Sequence, residues 1–456
     1  NSFCTLLQMN RVSVLSEQAP KPTVPTGRRA VVVMGTRTPF TRAFGEQMAL
    51  DCIDLGKVAV TGLVERSKID PNVIDQVVWG GVILRNGCPN TAREIVIDAK
   101  LPVGIAGHTE TMACASGLKA VLSAVSIIES GNADVIIAGG SDSTSCTEMP
   151  MDRSVTQSLA LYSAGKIGTS KLFGVAGYPW TWMPKRPAVA ERSTGKTMGY
   201  HADVMAGLCG VSRAEQDEFA MRSHRLAAAA IQSGVFADEV VPVQAPATKL
   251  TKAATVTKDA LVRGKQNPAK VAALKPVFRK AENGGTITAA TASPLTDGAA
   301  ACLIMSEDKA KQLGFEAMCG VRSWASTAIN PQPNLLLAPA LGIPLALKRA
   351  GLKLEDIDYF EIHEAFAGQV LATVKCLASK ELCNKFLQLP EAVGQINLDR
   401  VNIYGGSVSI GHPFGATGAR VTTNCARIIK EKKAKYVLAS VCAAGGLGLV
   451  TIFERL

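Results

Sequence analysis

Two cysteines and two histidines stand in separate glycine-rich or small-residue segments of the chain. They are Cys114 in TMACASG, His363 in EIHEAF, His412 in GHPFGATG and Cys442 in VCAAGGLG. A cysteine thiol becomes a nucleophile when a neighbouring base takes its proton, and histidine is a common base. A lone cysteine among small residues is more often inert core filler. The combination of all four side chains, however, favours covalent catalysis by an activated cysteine.

The segments around these four residues resemble strand ends and tight turns, which commonly present reactive side chains. Each residue follows a run rich in Val, Ile and Ala or stands in a tight glycine turn, as when a scaffold presents side chains from several loops. After Cys114, the sequence SGLKAVLSAVSIIESG has the apolar spacing of a helix and ends at Gly131. The start of this predicted helix therefore lies close to the thiol.

The local chemistry assigns different roles to Cys114 and His412. Unpaired backbone N–H groups at the start of a helix favour a thiolate by on the order of 1 kcal/mol. We therefore expect the pKa of Cys114 to be lowered by roughly one unit. Because this effect is insufficient alone, a base is needed, and His412 lies on a glycine-rich turn where its imidazole can approach a thiol.

These four segments closely resemble the signature motifs of the thiolases, and the resemblance covers nearly the whole chain. Further matching segments are RTPF at 37–40, AREIVIDA at 92–99, KTMGYHAD at 196–203, SRAEQDEFAMRSHRLA at 212–227 and GTITAATASPLTDGAA at 285–300. Most thiolases carry Asn at the position of His363. The pair His363 and Glu364, together with the turn after Cys442, is more similar to the β subunits of trifunctional fatty-acid oxidation enzymes.

The resemblance implies a 3-ketoacyl-CoA thiolase, an acetyl-CoA C-acyltransferase that shortens 3-oxoacyl-CoA in fatty-acid β-oxidation. It implies that Cys114 is the nucleophile, that His412 is its base and that Cys442 exchanges protons with acetyl-CoA and CoA. Coenzyme A is expected as a substrate, with no bound cofactor and no metal. The alternatives are a biosynthetic acetoacetyl-CoA thiolase and a non-catalytic thiolase-like scaffold. A ketoacyl synthase also uses one cysteine and two histidines, but it lacks Cys442 in this role.

The resemblance also assigns groups that stabilise negative charge. The backbone N–H groups of Cys114 and Ala444 are expected to form one oxyanion hole. His363 and His412 are expected to form the other, with a water on the His363 side. Histidine at position 363 keeps a hydrogen-bond donor where most thiolases have asparagine. The charge of the histidine, however, depends on pH.

Contacts with the coenzyme are expected at two further positions. Ser293 lies where thiolases contact the pantetheine arm, although Thr291 replaces an Asn that many relatives carry nearby. His201 in MGYHAD either approaches the coenzyme or packs in the interior. His224 is expected on a helix surface, and His108 in a structural role.

An internal repeat predicts the architecture. IDPNVIDQVVWGGV at 69–82 resembles LKLEDIDYFEIHEA at 352–365, and ADVIIAGGSDS from Ala133 resembles AKYVLASVCAAGG from Ala434. Two similar βαβ-rich halves follow, each an α/β unit with a mostly parallel sheet covered by helices. The thiolase fold adds that the halves stack as α-β-α-β-α layers with an inserted loop domain. The expected boundaries are 30–145 with 276–305 for the N-terminal half, 146–275 for the loop domain and 306–456 for the C-terminal half.

The loop domain contains an aromatic and basic stretch, YPWTWMPKR at 178–186, with Trp180 and Trp182. One interpretation is a buried loop or a wall of the acyl tunnel. The other is a peripheral contact with a membrane surface or a partner subunit, since Trp beside Lys and Arg suits an interface. The related β subunits use this region in the second way.

Composition excludes several classes of protein. The chain has 456 residues and a net charge of +11, but its basic residues are dispersed and no apolar run is long enough for a membrane span. We therefore expect neither nucleic-acid binding nor an integral membrane protein, whereas a positive surface suits capture of anionic CoA. Twelve cysteines without a CxxC pair disfavour a zinc site, a redox dithiol and a disulfide-built fold.

Location and assembly are expected mainly from the resemblance. Residues 1–29 contain one acidic side chain among Ser, Thr, Arg and Lys, which suits a mitochondrial targeting segment or a flexible N-terminal segment. Arg11-Val12 and Gln18-Ala19 also fit the N-terminal peroxisomal pattern of other thiolases, so a peroxisome is the alternative. The family implies a homodimer or tetramer, and the subtype implies a hydratase/dehydrogenase α subunit as partner.

Overall fold

The structure is a computed structural model that describes residues 27–175, 182–184 and 189–456. Its β-strands are β1 (Ala30–Arg37), β2 (Thr41–Arg42), β3 (Gln76–Gly80), β4 (Ala106–Glu110), β5 (Val135–Asp142), β6 (Val243–Ala245), β7 (Ala254–Val256), β8 (Thr296–Ser306), β9 (Cys319–Ala328), β10 (Tyr359–Ile362), β11 (Tyr436–Ala443) and β12 (Leu447–Glu454). The main sheet has the order β10-β11-β12-β9-β1-β8-β5-β3-β4, with β2 beside β8. Strands β6 and β7 form a separate pair.

Helices cover both faces of this sheet. They are α1 (Cys52–Ser67), α2 (Thr91–Asp98), α3 (Ser116–Glu129), α4 (Arg153–Ser163), α5 (Thr169–Val175), α6 (Met198–Leu208), α7 (Arg213–Gln232), α8 (Pro268–Ala272), α9 (Glu307–Gln312), α10 (Pro331–Asn334), α11 (Ala338–Ala350), α12 (Ala367–Ala378), α13 (Lys380–Leu382), α14 (Ser407–Ile410) and α15 (Phe414–Lys432). The start of α3 confirms the helix predicted after Cys114.

The sheet consists of two halves that meet at a narrow junction. Strands β1 and β9 pair through only Val31 with Gly320 and Val32 with Cys319. Helices α3 and α15 lie between the halves, while α1 and α2 cover one outer face and α11 and α12 the other. The expected α-β-α-β-α layers are thereby confirmed.

The halves show the predicted internal repeat in detail. Asp75, just before β3, accepts hydrogen bonds from the N–H groups of Asp134 and Val135, while Asp358, just before β10, accepts them from Lys435 and Tyr436. Equivalent carboxylates therefore align β3 with β5 and β10 with β11. Both of these pairs are parallel.

The expectation of mostly parallel sheets was wrong, because both halves are mixed. Strand β8 runs antiparallel to β1 and to β5, and β12 runs antiparallel to β11 and to β9. The short turn between β11 and β12 requires this direction, since a parallel partner needs a long crossover.

Glycines allow the two central helices to touch where they begin. A Cβ atom added at Gly418 of α15 lies 1.9 Å from the backbone nitrogen of Leu118 in α3, and one at Gly117 lies 2.1 Å from the carbonyl oxygen of Gly415. Real Cβ atoms do not approach so closely. The glycines of GATG and CASG therefore bring the segments that precede both helices close together.

The segment between the halves is irregular. Helices α6 and α7 pack against α12 of the C-terminal half. Trp182 is partly buried, while Trp180 lies outside the described residues. Within the described ranges, no helix has the length and apolar character needed to cross a membrane.

Candidate functional site

Cys114 lies in a strained turn directly before α3. Ala113 adopts a φ of 46°, in the left-handed region that a residue with a side chain seldom occupies. The Ser116 hydroxyl closes the turn, because it accepts from the Met112 N–H at 2.8 Å and donates to the Ala113 carbonyl at 2.6 Å. Strain of this kind is typical of functional positions. The partly buried Cys114 packs against a hydrophobic cluster that contains residues from both halves of the sheet.

The protonation state of Cys114 differs from the sequence prediction. Burial, followed by the negative charge of Asp142, raises the pKa of the Cys114 thiol to about 12. The backbone N–H groups of Cys114 and Ala444 act in the opposite direction and lower that pKa. The expected lowering was therefore wrong, because loss of hydration outweighs the favourable N–H groups. The free protein holds a neutral thiol.

Cys442 comes from the other half of the sheet. It lies near the end of β11, is almost fully buried, and precedes a turn in which Gly445 and Gly446 have φ values of 83° and 71°. Burial raises the pKa of the Cys442 thiol well above its ordinary value, and its electrostatic interaction with the nearby Cys114 sulfur acts in the same direction. The Ala444 N–H is close enough to Cys114 to lower the pKa of that thiol, and Cys114 is close enough to Cys442 to affect the pKa of Cys442. The structure therefore brings Cys114, Cys442 and Ala444 together.

His363 and His412 face each other. Their ring centroids are 4.1 Å apart, and the ring planes are inclined by 46°. Burial, followed by the positive charge of Arg420, lowers the pKa of His412 to about 3. Burial likewise lowers the pKa of His363, followed by the effects of His412 and Arg420. Both imidazoles are therefore neutral near pH 7.

Each ring has one nitrogen anchored and one free. His363 Nδ1 lies 2.9 Å from the Ser407 hydroxyl, and His412 Nδ1 lies 2.6 Å from the Thr417 hydroxyl. Both Nε2 atoms are buried, and neither has a hydrogen-bond partner among the described residues. Buried polar atoms are nearly always paired, so two such nitrogens on facing rings indicate where a polar ligand binds.

Backbone contacts place the two histidines. The N–H of His363 donates to the Ser440 carbonyl at 2.8 Å, which extends the parallel pairing of β10 and β11 by one residue. The N–H of His412 donates to the Thr296 hydroxyl at 3.0 Å. His363 thus follows β10, and His412 precedes α15.

Two buried carboxylates, Glu364 and Asp142, support the site in a role that the sequence did not predict for either. Glu364 accepts from Asn402 Nδ2 at 2.7 Å, from the Ser223 hydroxyl at 2.7 Å and from the Val408 N–H at 3.1 Å. It therefore fixes the loop that carries His363. The position of Glu364 directly after a reactive histidine was the available signal.

Asp142 performs the same task at the end of β5. Its carboxylate accepts from the N–H groups of Val82 and Ile83 and, at 2.5 Å, from Gly415 in the first turn of α15. Burial raises the pKa of Asp142 to about 6. This carboxylate joins the β3 loop to the helix that begins after His412. In the sequence, the only signal for this role of Asp142 was the presence of an acidic residue at the end of the apolar run VIIAGGSD.

A third carboxylate comes from the irregular segment. Glu191 accepts from the Gly445 N–H at 2.8 Å, within the turn that follows Cys442. A hydrogen bond from Ser193 lowers the pKa of Glu191, so its carboxylate is ionised at neutral pH. Glu191 thereby connects the segment predicted to be a loop domain with the turn that contains Ala444.

Ser293 and His201 lie at different distances from this centre. The Ser293 N–H donates to the Ala365 carbonyl at 3.0 Å, so this partly buried serine is adjacent to the His363 loop. His201 is buried, and its Nε2 lies 2.8 Å from the Thr194 hydroxyl. Burial lowers the pKa of His201, whereas the charge of Glu191 raises it. The buried position and the contact with Thr194 are those of a residue packed in the interior, and contact of His201 with the coenzyme stays a prediction.

The prediction for His224 was wrong. It is buried in α7 rather than exposed, and its Nδ1 accepts from the Arg263 N–H at 3.1 Å. The chain around Arg263 covers this face of the helix, and burial lowers the pKa of His224 to about 4. His108 lies in the edge strand β4.

A strained cysteine, a second buried cysteine and two facing neutral histidines at the junction of two repeated halves define an acyl-transferring enzyme with a cysteine nucleophile. The chain belongs to the thiolase family. Residues 30–308 match the family described as Thiolase, N-terminal domain, and residues 315–455 match Thiolase, C-terminal domain. The family prediction is thus confirmed.

Individual relatives agree over almost the full length. A 3-ketoacyl-CoA thiolase of Pseudoalteromonas translucida is 40% identical over 432 residues, which cover 94% of this chain and 98% of that protein. A 3-ketoacyl-CoA thiolase of Shewanella amazonensis is 39% identical over 430 residues, with 94% and 97% covered.

Solved structures show the same fold. The crystal structure of the Bacillus anthracis acetyl-CoA acetyltransferase has a TM-score of 0.79 at 29% identity, and that of human mitochondrial 3-ketoacyl-CoA thiolase has 0.77 at 25% identity. Each comparison covers 94% of this chain and 99% of the other.

The comparisons correct the expected location. The relatives from Pseudoalteromonas and Shewanella are bacterial proteins, and bacteria have neither mitochondria nor peroxisomes. The mitochondrial expectation and its peroxisomal alternative were therefore wrong. Both had been based on the resemblance and on residues 1–29, of which 1–26 lie outside the described residues.

Proposed function

We propose that the protein is a 3-ketoacyl-CoA thiolase that cleaves 3-oxoacyl-CoA with CoA into acetyl-CoA and a shortened acyl-CoA. The observation that carries this proposal is the pair of facing histidines, with ring centroids 4.1 Å apart and both buried Nε2 atoms unpartnered among the described residues. The proximity of Cys114 to Ala444 and Cys442 supplies the nucleophile and a second acid–base group.

In the first half of the reaction, Cys114 Sγ attacks the keto carbon while its proton moves to Nε2 of His412. The neutral thiol and the neutral imidazole make this a coupled transfer, since neither partner is charged beforehand. The bond between the α and β carbons then breaks. The shortened acyl group stays on Cys114, and the departing acetyl-CoA enolate takes its α proton from the Cys442 thiol.

In the second half, the Cys442 thiolate takes the proton of an incoming CoA thiol. The CoA sulfur attacks the acyl carbonyl and releases the shortened acyl-CoA from Cys114, whose sulfur regains its proton from His412. Both cysteines thus return to their starting forms. The high pKa of Cys442 suits this cycle, because its thiolate is a strong base when formed.

Negative charge develops on carbonyl oxygens at both stages and needs fixed donors. The N–H groups of Cys114 and Ala444, which lower the pKa of the Cys114 thiol, are suited to the oxygen of the acyl-enzyme. His363 and His412 are suited to the thioester oxygen of the enolate, through their Nε2 atoms. We propose these two sets as the oxyanion holes.

We assign substrate contacts to Ser293 and to the segment 146–275. Ser293 is partly buried beside the His363 loop, a suitable place to meet the pantetheine arm. His201 is the weaker candidate, since its ring nitrogen already contacts Thr194. The boundaries 30–145 with 276–305, 146–275 and 306–456 remain our proposal for the domains.

Assembly is likewise a proposal. Edge strand β4 at one end of the sheet offers a surface for pairing with a second copy, which supports a homodimer or a tetramer. A hydratase/dehydrogenase α subunit is proposed from the motif resemblance alone. A peripheral membrane contact near Trp182 is proposed from its aromatic and basic neighbours in the sequence.

The test is CoA-dependent loss of 3-oxoacyl-CoA with short, medium and long chains, with Cys114→Ala as the matched inactive variant. Thiolysis by the wild type but not by the variant supports the proposal. Activity confined to acetoacetyl-CoA favours the second candidate, a biosynthetic thiolase, which the similarity to the Bacillus anthracis acetyl-CoA acetyltransferase supports. Absence of turnover at every length from folded wild-type protein would refute both.

A further inference from the structure

A buried chain of polar side chains continues behind His363, on the side away from the free Nε2. His363 Nδ1 lies 2.9 Å from the Ser407 hydroxyl, and Arg420 Nη2 lies 3.4 Å from the same hydroxyl. Arg420 Nη1 lies 3.8 Å from Glu361 Oε2. All four residues are at most 2% exposed. Water has little access to these groups, so their hydrogen bonds depend on one another.

The direction of each bond follows from what the groups can do. A guanidinium only donates, so the Ser407 oxygen accepts from Arg420. The Ser407 proton then needs an acceptor, and His363 Nδ1 is the acceptor that the described residues provide. The opposite arrangement, in which Nδ1 donates to Ser407, leaves a buried hydroxyl proton unpaired, which costs free energy.

A ring that accepts at Nδ1 carries its proton on Nε2 when it is neutral. We propose that Ser407 is a positioning residue for the thiolase reaction: it holds His363 in the form whose Nε2–H donates to the oxygen that becomes negative. This inference rests on the proposed function for its catalytic meaning. The form of the ring can be measured independently of activity.

His412 provides the complementary case. The Thr417 hydroxyl donates to the Pro413 carbonyl at 3.1 Å, and its oxygen is then free to accept from His412 Nδ1–H at 2.6 Å. This arrangement leaves His412 Nε2 with a lone pair, as a base requires. Two rings of one residue type thus serve as donor and base because Ser407 and Thr417 orient their hydroxyls oppositely.

The first measurement is the 15N spectrum of the histidine side chains in wild-type protein. The chain has five histidines, and a His363→Asn variant identifies the signals of His363 by their loss. At neutral pH we expect His363 to show an unprotonated Nδ1 and a protonated Nε2. The reverse pattern in the wild type would overturn the proposal, and this result does not depend on thiolase activity.

The second measurement compares Ser407→Ala with Ser409→Ala. Ser409 is equally buried and lies two residues further on, but its hydroxyl bonds to Ser223 and to the Gly406 carbonyl rather than to a histidine. Ser409→Ala therefore serves as the control for the loss of one buried hydroxyl that does not contact a histidine. For Ser407→Ala we expect a mixture of the two neutral forms of His363 and a kcat about 10-fold lower, the effect of roughly one hydrogen bond, with KM little changed.

For Ser409→Ala we expect a wild-type His363 spectrum and kcat within about threefold of wild type. Equal spectra and equal kcat values in the two variants would contradict a special role for Ser407. If the wild-type protein shows the expected spectrum but does not cleave 3-oxoacyl-CoA, the proposed function fails while the assignment of the His363 form stands. If Ser407→Ala does not fold, the wild-type spectrum decides.

Discussion

The ring centroids of His363 and His412 lie 4.1 Å apart, although one residue follows a strand and the other precedes a helix. Two cationic imidazoles at this distance repel each other, and burial with the charge of Arg420 adds to the cost of protonation. The pair is therefore neutral in the free enzyme. The proposed reaction needs one neutral ring that accepts a proton and one that donates a hydrogen bond to an oxygen, and a neutral imidazole can do either.

The high pKa of Cys114 predicts its pH-dependent reactivity. Below a pKa of about 12, the thiolate fraction rises about tenfold per pH unit, so alkylation by iodoacetamide should still accelerate between pH 8 and pH 10. A stable thiolate paired with an imidazolium would instead give a rate that levels off below pH 8. Mass spectrometry of the Cys114 peptide measures the rate, with Cys114→Ala to locate the modified site.

Replacement of Cys442 should separate proton transfer from nucleophilic attack. In Cys442→Ala, exchange of the α protons of acetyl-CoA with deuterated water should fall by about 10²-fold to 10⁴-fold, because the acid–base group is lost. Alkylation of Cys114 should remain. A matched control is Cys376→Ala, a buried cysteine in α12 outside the site. Undiminished exchange in Cys442→Ala would remove Cys442 from the mechanism.

His363 is predicted to act as a hydrogen-bond donor rather than as a base. His363→Ala should lower kcat by about 10²-fold to 10³-fold, the usual effect of losing one oxyanion donor. His363→Asn should retain clearly more activity, since an amide N–H also donates. Steady-state kinetics with one 3-oxoacyl-CoA substrate measures both variants. An equal loss of kcat in the two variants would show that the reaction does not need a hydrogen-bond donor at position 363.

The contact between the central helices depends on Gly418. In Gly418→Ala, the new Cβ lies 1.9 Å from the Leu118 nitrogen, so the helices must separate. Overpacking of this kind costs about 1–3 kcal/mol or more. Gly207→Ala in α6 is the control, because no heavy atom lies within 4 Å of its added Cβ. Thermal unfolding should show a lower Tm for Gly418→Ala and an unchanged or higher Tm for Gly207→Ala.

Much of this architecture was predictable because it repeats locally in the sequence. The two Ile-Asp segments before β3 and β10 already predicted equivalent strands, and Asp75 and Asp358 perform the same task in the structure. The helix after Cys114 followed from apolar spacing alone. The directions of β8 and β12 were not predictable in this way, since pairing between distant strands depends on tertiary contacts.

The supporting side chains of the site were less predictable. Asp142 bonds to Gly415, and Glu191 bonds to Gly445, across long separations that no local pattern encodes. The pKa of Cys114 was predicted in the wrong direction, because a helix start is visible in a sequence whereas the burial of a sulfur atom is not. His224 was misplaced for the same reason, since a distant loop covers it.

A covalent acyl-cysteine intermediate on Cys114 can be identified directly. Wild-type protein is mixed with a 3-oxoacyl-CoA in the absence of free CoA, quenched in acid and digested for mass spectrometry. We expect the peptide containing Cys114 to carry an acyl group two carbons shorter than the substrate, and added CoA to remove it. An acyl group on Cys442 instead, or cleavage of the substrate without any acylated cysteine, would contradict this expectation.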